Sequence, residues 1–337
     1  MSTGVFREIK KEHPNSKIDV ICSKLAYPIL EKNKNINKII PIDFFWRKEN
    51  RNWKAVTDYF KIADTMRKEK YNIGIALRSD LPNIYFLLYK AGVRNRAGYY
   101  NLDGGKKMLT NPLLYPEQEQ HSSVADMNLV NFSLHMSTKV YMPEVPIDNK
   151  DIAYTNIFFD IYSGINKYIC IVPGACAKLQ TWDKDNYKAI IDWMIAEHPE
   201  HHIILAGGKE DESLIDYLSL DSDNNLKPKC IKLINHNLRH LGILFNHADA
   251  VLLQDGGPMH LAYAMMGDAN RKLFILWGPN PLEHVAPLQG KIIHHKLDCY
   301  PCMRQESQCK KPIGQRCMDL ITVEEVKKEI EKAIKSE

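Results

Sequence analysis

The stretch Gln254-Asp255-Gly256-Gly257-Pro258-Met259-His260-Leu261-Ala262-Tyr263-Ala264 decides how this chain is read. The apolar run Ala250-Val251-Leu252-Leu253 stops at it in a polar turn, and beyond the turn Leu261, Ala264 and Met265 recur at helical spacing. That pattern predicts strand, tight turn, helix. Gly256 and Gly257 are expected to supply backbone angles that side chains forbid. Pro258 suits the first helical turn, where its missing N–H costs nothing. The first N–H groups of such a helix, with the positive end of its dipole, suit a phosphate. Asp255 could accept hydrogen bonds from sugar hydroxyls, with Met259 and His260 in the first turn beside it. An ordinary strand-to-helix connection with a buried histidine explains the stretch equally well when it is taken alone.

Working outward, 337 residues with 45% hydrophobic content predict two packed domains of ordinary size. No apolar run approaches the roughly 20 residues that span a bilayer. Met1 leads straight into an amphipathic helix with no secretory leader pattern, so a cytoplasmic protein is expected. Eight irregularly spaced cysteines do not form the framework of a small secreted domain. A net charge of +4 permits contact with an anionic surface and gives no basic stripe for nucleic acid.

In the first half, strands over Ile18–Cys22, Lys38–Ile42 and Tyr71–Leu77 alternate with helices over Val5–His13, Ala26–Glu31, Val56–Lys68 and Asn83–Ala91. Alternation of this kind predicts an α/β layer with a parallel sheet. The segment Phe44 to Lys54 interleaves aromatics with Arg47, Lys48 and Arg51. It suits a membrane interface or an anionic ligand, or else a solvated loop whose aromatics fold back onto the core. Arg78, Ser79 and Asp80 follow a strand at its carboxyl end, where open α/β sheets place ligands. Pro143 to Asn149 reads as a linker, giving domains over 1–145 and 151–321 and a closing helix over 322–337, capped by Thr322 with Glu325 three residues on.

In the second half, the strand Tyr168–Val172 ends in Gly174-Ala175, with Lys178 and Gln180 following. The strand His202–Ala206 ends in Gly207-Gly208, with Glu210-Asp211-Glu212 following, and Lys272–Trp277 ends at Gly278-Pro279. All these polar turns lie at carboxyl ends of strands and are expected to converge on one crevice. Gly174 and Ala175 would offer backbone donors, and Lys178 a point charge, to a pyrophosphate. Cys299-x2-Cys302-x6-Cys309-x7-Cys317 leaves two readings open: a zinc site, or reduced cysteines packing an irregular loop.

Asp255-x-Gly257-Pro258-Met259-His260-Leu261-Ala262, then Leu276-Trp277-Gly278-Pro279-Asn280-Pro281, then Cys299-Tyr300-Pro301-Cys302 and Cys317-Met318 resemble glycosyltransferase family 9, the heptosyltransferases of lipopolysaccharide core assembly. The resemblance runs over nearly the whole chain. It implies a GT-B fold, two Rossmann-like α/β domains with parallel sheets facing across a cleft, the donor held mainly by the second. It implies a nucleotide-sugar donor (ADP-heptose), an acidic lipid-linked saccharide acceptor, peripheral contact with the inner face of the cytoplasmic membrane, and no required cofactor. Glu212 or Glu210 matches the acid used on the ribose, although a solvated helix start explains those acids as well. His121 matches a family histidine, and the Arg47–Arg51 segment and Arg78 fall toward the acceptor. A closing helix of this fold usually returns to the first domain. Three departures stand out. Gln180 replaces a lysine, and Gly256 replaces a hydroxyl residue. Met1 aligns beyond the opening strand and the Gly-Asp loop that carries the proposed base, so the first sheet is expected to lack its central strand. Asp80 is the substitute candidate for the base. The alternative to an active transferase is a degenerate or truncated member that binds a sugar nucleotide without turnover.

Overall fold

The computed structural model describes residues 2–47, 50–77, 82–100, 105–114, 120–139, 141–162, 165–175, 177–267, 272–302 and 309–335. The chain divides into two compact units, Met1–Pro146 and Ile147–Glu337.

The first unit runs α1 (Val5–Glu12), β1 (Asp19–Ser23), α2 (Tyr27–Leu30), β2 (Lys38–Ile42), α3 (Trp53–Glu69), β3 (Ile73–Ala76), α4 (Pro82–Lys90), β4 (Asn95–Tyr100), β5 (Asn111–Leu114) and α5 (Ser122–Leu134). Helix α3 starts where the Asn52 side chain accepts the Ala55 N–H, and it buries Ala55, Tyr59, Ala63 and Met66 at helical spacing. The strands form two parallel sheets, β1-β2 and β3-β4-β5. Val5 and Ile9 of α1 pack with Met127 and Val130 of α5, against Ile75 and Leu77. Tyr59, Met66, Leu87 and Leu88 from α3 and α4 build a separate cluster.

A cavity of about 760 Å³ is lined along the length of both β1 and β3, by Val5 and Phe6 of α1 and by Leu87 and Leu88 of α4. Among the described strands β1 pairs with β2 alone and β3 with β4 alone. Helices cover this space as they cover a strand of a parallel sheet, so the walls are mostly apolar although the flanking strands carry backbone donors and acceptors.

Phe44, Phe45 and Trp46 turn inward onto the α3–α4 cluster, with Phe45 5.3 Å and Trp46 6.1 Å from the Tyr59 ring centre. For these three aromatics the fold-back reading holds, because their rings complete a core that α3 leaves open. Arg47 and Arg51 stay exposed.

The second unit runs α6 (Asn149–Ile161), β6 (Lys167–Val172), α7 (Lys184–Glu197), β7 (His201–Gly207), α8 (Glu212–Ser219), β8 (Cys230–Ile234), α9 (Leu238–His247), β9 (Ala250–Gln254), α10 (Gly257–Met266), β10 (Leu273–Trp277), α11 (Leu282–Val285), β11 (Lys291–His294) and α12 (Val323–Ile334). Its six strands are all parallel, in the order β11-β10-β9-β6-β7-β8. Every residue of β9 and β10 is buried, as strands covered on both faces must be. Helix α6 begins in a capping box of Asp148 and Asp151, and Asp151 also receives the buried Arg239 guanidinium of α9 at 3.1 Å. Thr322 caps α12 by accepting the Glu325 N–H. The apolar stripe of that helix (Val326, Ile330, Ala333, Ile334) is buried in the core of the second unit, beside Tyr187 and Met194 of α7. Among the described residues no helix is long and apolar enough to cross a membrane.

Candidate active site

In the second unit the chain passes from β6 outward to β8, then returns to place β9 on the other side of β6. The loops after β6 and β9 therefore leave the sheet in opposite directions, which opens a crevice at the carboxyl ends of these two strands. The loop after β6 carries Gly174, Ala175, Lys178 and Gln180; the turn after β9 carries Asp255, Gly256 and Gly257.

Two side chains at the end of β9 hold the crevice together. Gln254 is 2% exposed; its Oε1 accepts the Trp182 N–H at 2.5 Å, and its Nε2 donates to the Pro173 carbonyl at 2.6 Å. It thus fixes both ends of the β6 loop. Asp255 is 6% exposed, and its Oδ2 accepts from Gln180 Nε2 at 3.0 Å and from Asn280 Nδ2 at 2.5 Å. Asn280 sits in the loop after β10, which is tied back by the Trp277 indole N–H donating to the Asn280 carbonyl at 2.7 Å. Three loops from three adjacent strands meet at one carboxylate. Burial pushes that carboxyl above the usual range, and the amides of Asn280 and Gln180 pull it back.

Helix α10 opens beside this carboxylate, with Gly256 as its cap and Pro258 in the first turn. Met259 is fully buried beneath the turn, and His260 is half-buried in it. The first turn of α10 thus offers N–H donors with the favourable end of the helix dipole. The glycine expectation needs correcting here. Gly256 has φ 171° and ψ −174°, extended backbone open to any residue, and Gly257 is absent from the positive-φ glycines. What these glycines give is clearance: a side-chain carbon at Gly257 would meet no atom within 4 Å, and one at Gly256 only the Pro258 ring at 3.8 Å. They keep the approach to the helix start bare.

Gly174 is a true close approach, since a side-chain carbon there would overlap the Asp211 carboxylate. Asp211 also accepts the Gly208 N–H at 3.0 Å. The acid packed against the β6 loop is therefore Asp211, whereas Glu212 and Glu210 are exposed. Three adjacent acids cannot be told apart in a sequence; the turn after β7 decides which one points inward. Lys178 is exposed at the start of a short 3-10 turn that ends at Gln180. Asn280 and Asp211 are the site residues that the sequence reading does not single out. Asn280 does lie in a quoted motif, which was the available signal.

The remaining expected site residues are scattered. His121 caps α5: its Nδ1 lies 2.6 Å from Ser123 Oγ and accepts the Ser123 N–H, so the ring works on the helix start. Arg47 and Arg51 are exposed cations of the first unit. Lys48, Arg78 and Asp80 lie outside the described residues. Cys299, Cys302, Cys309 and Cys317 carry free thiols. Among the described residues the grouping spaced for a metal is His198, Glu200 and His201, and no three of the four cysteine sulfurs come within 4.8 Å of one another. Burial pushes the Cys317 thiol up to about 11, which holds it protonated.

Comparison with known proteins agrees with this architecture. The family model described as glycosyltransferase family 9 (heptosyltransferase) matches residues 59–313. The chain is 24% identical over 288 residues to lipopolysaccharide heptosyltransferase 3 of Escherichia coli, covering 82% of this chain and 79% of that one. A solved glycosyltransferase family 9 structure from Veillonella parvula superposes with a TM-score of 0.79 at 17% identity, over 100% of this chain and 93% of that one. An E. coli heptosyltransferase solved with ADP-2-deoxy-2-fluoro heptose gives a TM-score of 0.68 at 16% identity, over 98% and 94% of the two chains. The fold is thus GT-B-like, built of parallel α/β units. With its match spanning most of the sequence, this chain belongs to glycosyltransferase family 9, the heptosyltransferase family.

Proposed function

We propose that this protein transfers a heptose from ADP-heptose to a saccharide of the lipopolysaccharide core. The observation that carries this reading is the convergence of the β6, β9 and β10 loops on Asp255, beside the bare first turn of α10. In the proposed complex the N–H groups after Gly257 and those of Gly174 and Ala175 receive the diphosphate, with the Lys178 ammonium able to swing onto it. Asp255 keeps its two amide partners on Oδ2 and turns Oδ1 to a sugar hydroxyl. Asp211 or Glu212 reads the ribose. As the glycosidic oxygen leaves with ADP, the helix start stabilises the growing negative charge, and a carboxylate takes the proton of the acceptor hydroxyl. Asp80 is assigned that last role. Arg47, Lys48, Arg51 and Arg78 are assigned to the acidic lipid-linked acceptor, at the cytoplasmic face of the membrane.

The relative solved with ADP-2-deoxy-2-fluoro heptose supports the choice of donor. A second reading, donor binding without turnover, is favoured by the cavity along β1 and β3, which leaves the first unit without a continuous sheet. One experiment separates them. The full chain with ADP-heptose and a heptose-accepting core saccharide should release ADP and extend the saccharide by one heptose. Tight ADP binding without ADP release would support the second reading, and no ADP binding at all would overturn both.

A further inference from the structure

At the other rim of the second unit's sheet, the segment His198-Pro199-Glu200-His201 closes α7 and starts β7. Glu200 Oε1 lies 3.1 Å from His201 Nδ1 and 3.8 Å from His198 Nδ1. One ligand atom from each of the three residues falls within 4.8 Å of the others. Ligands 2.0–2.1 Å from a tetrahedral zinc are about 3.3 Å apart, so the two Glu200 distances, 3.1 and 3.8 Å, are near what one ion imposes.

The His201 side chain is 2% exposed, and its Nδ1 makes no hydrogen bond despite the nearby carboxylate. Its other nitrogen, Nε2, faces Asp249 Oδ2 at 3.5 Å, and Asp249 is fixed by accepting the Tyr168 N–H at 2.9 Å. With the ring proton on Nε2 toward Asp249, Nδ1 presents a bare lone pair to a carboxylate oxygen. Two lone pairs at that distance repel unless a cation lies between them. A proton on Nδ1 is the poorer candidate, because the N–H direction of that nitrogen makes no hydrogen bond to the carboxylate. Carboxylate, imidazole and metal in a row is also the arrangement that orients ligating histidines. Lys272, 3.9 Å from Asp249 Oδ1, balances that carboxylate from its far side.

We propose that His198, Glu200 and His201 form a divalent transition-metal site of the zinc type, with water at the fourth position beside the exposed Glu200. It lies at the amino end of β7, away from the carboxyl-end crevice, and would fasten the end of α7 to the sheet. The donor set of two imidazoles and a carboxylate fits Zn²⁺ and Co²⁺ and does not suit Mg²⁺ or Ca²⁺.

The test uses the full chain, stripped with chelator and titrated with Zn²⁺, then with Co²⁺. The expected result is one tight equivalent of Zn²⁺ and a higher Tm. Co²⁺ should give weak visible bands without the strong near-ultraviolet absorption of a thiolate ligand. Glu200→Gln and His198→Ala should each weaken Zn²⁺ binding at least tenfold, and Glu200→Gln should leave the metal-free Tm of the protein nearly unchanged, since its side chain is 53% exposed. Failure to bind either ion overturns the proposal. So does binding that survives both substitutions, and so does a thiolate band, which would assign the metal to the cysteine loop.

Discussion

Replacing Asp255 gives the most searching test of the crevice. Its Oδ2 accepts two amide hydrogen bonds that hold the β6 and β10 loops, from Gln180 and Asn280. Hydrogen bonds to a charged acceptor are worth about 1.5–3 kcal/mol each. Against them stands the burial of the carboxylate, the largest influence on its titration. Asp255→Ala removes both effects and leaves two amides facing a gap, so a net loss of about 2–4 kcal/mol is expected. Asp255→Asn keeps one carbonyl oxygen for the same donors and discharges the site, so it should cost less than half as much. The measurement is urea unfolding followed by Trp182, Trp193 and Trp277, all in the second unit, in a background with Trp46 and Trp53 changed to Phe. With a slope of about 2 kcal/mol/M, Asp255→Ala should lower the midpoint by about 1–2 M. The two variants also divide the ligand. Asp255→Ala should weaken ADP and ADP-heptose together, because both loops are released. Asp255→Asn should leave ADP within about threefold and weaken ADP-heptose at least tenfold, through loss of the charged acceptor for its hydroxyls. Asn costing as much stability as Ala, or weakening both ligands alike, would refute the dual role given to this carboxylate.

Other outcomes follow from single contacts. Burial pushes the Asp126 carboxyl of the first unit up to about 6, with the Ser2 hydroxyl donating to it in partial compensation. A raised folded value means that this group's contribution is fully present below the unfolded carboxylate range and is lost as pH rises through about 6. Asp126→Asn should therefore flatten the pH dependence between about pH 4 and 7, and raise stability at pH 7 by at most about 3 kcal/mol, read by thermal unfolding. His121→Ala should cost about 0.5–2 kcal/mol through the lost α5 cap, and His121→Asn should restore most of it; a loss of acceptor affinity with no change in stability would instead return His121 to ligand binding. Among the described cysteines, Cys299, Cys302 and Cys309 should react quickly with a thiol reagent. Buried Cys22, Cys170 and Cys230, and half-buried Cys317, whose thiols burial raises, should react slowly, and blocked Cys299 and Cys302 would indicate a metal at that loop.

Much of the fold could be read from apolar runs alone, because β6, β9 and β10 are covered on both faces and leave unbroken signatures in the sequence. The short outer strands β5 and β11 escaped that reading: Asn111–Leu114 contains a proline, and Lys291–His294 buries one residue fully. The site was legible in position and not in detail. That polar turns at carboxyl ends of strands share a crevice follows from topology. Which partner each side chain takes does not. Asn280 reaches Asp255 across 25 residues, and Gln254 grips a loop more than 70 residues earlier, contacts that no periodicity encodes. Asp211 rather than Glu212 faces Gly174 because of where one short turn falls.

The position of β6 also governs how this unit is made. It pairs on one side with β7, which follows it closely, and on the other with β9, whose last residue emerges about 80 residues after β6 is complete. At roughly 5–20 residues per second, a ribosome takes on the order of 4–16 s to deliver that second partner. Until it arrives, β6, with as much of β7 and β8 as has been made, carries an open edge strand that is apolar from Tyr168 to Val172, the kind that joins readily to a neighbouring chain. Slow passage through the codons for residues 173–249 would prolong the exposure. A chaperone that shields Tyr168–Val172 during those seconds should raise the yield of native protein more than one acting after release.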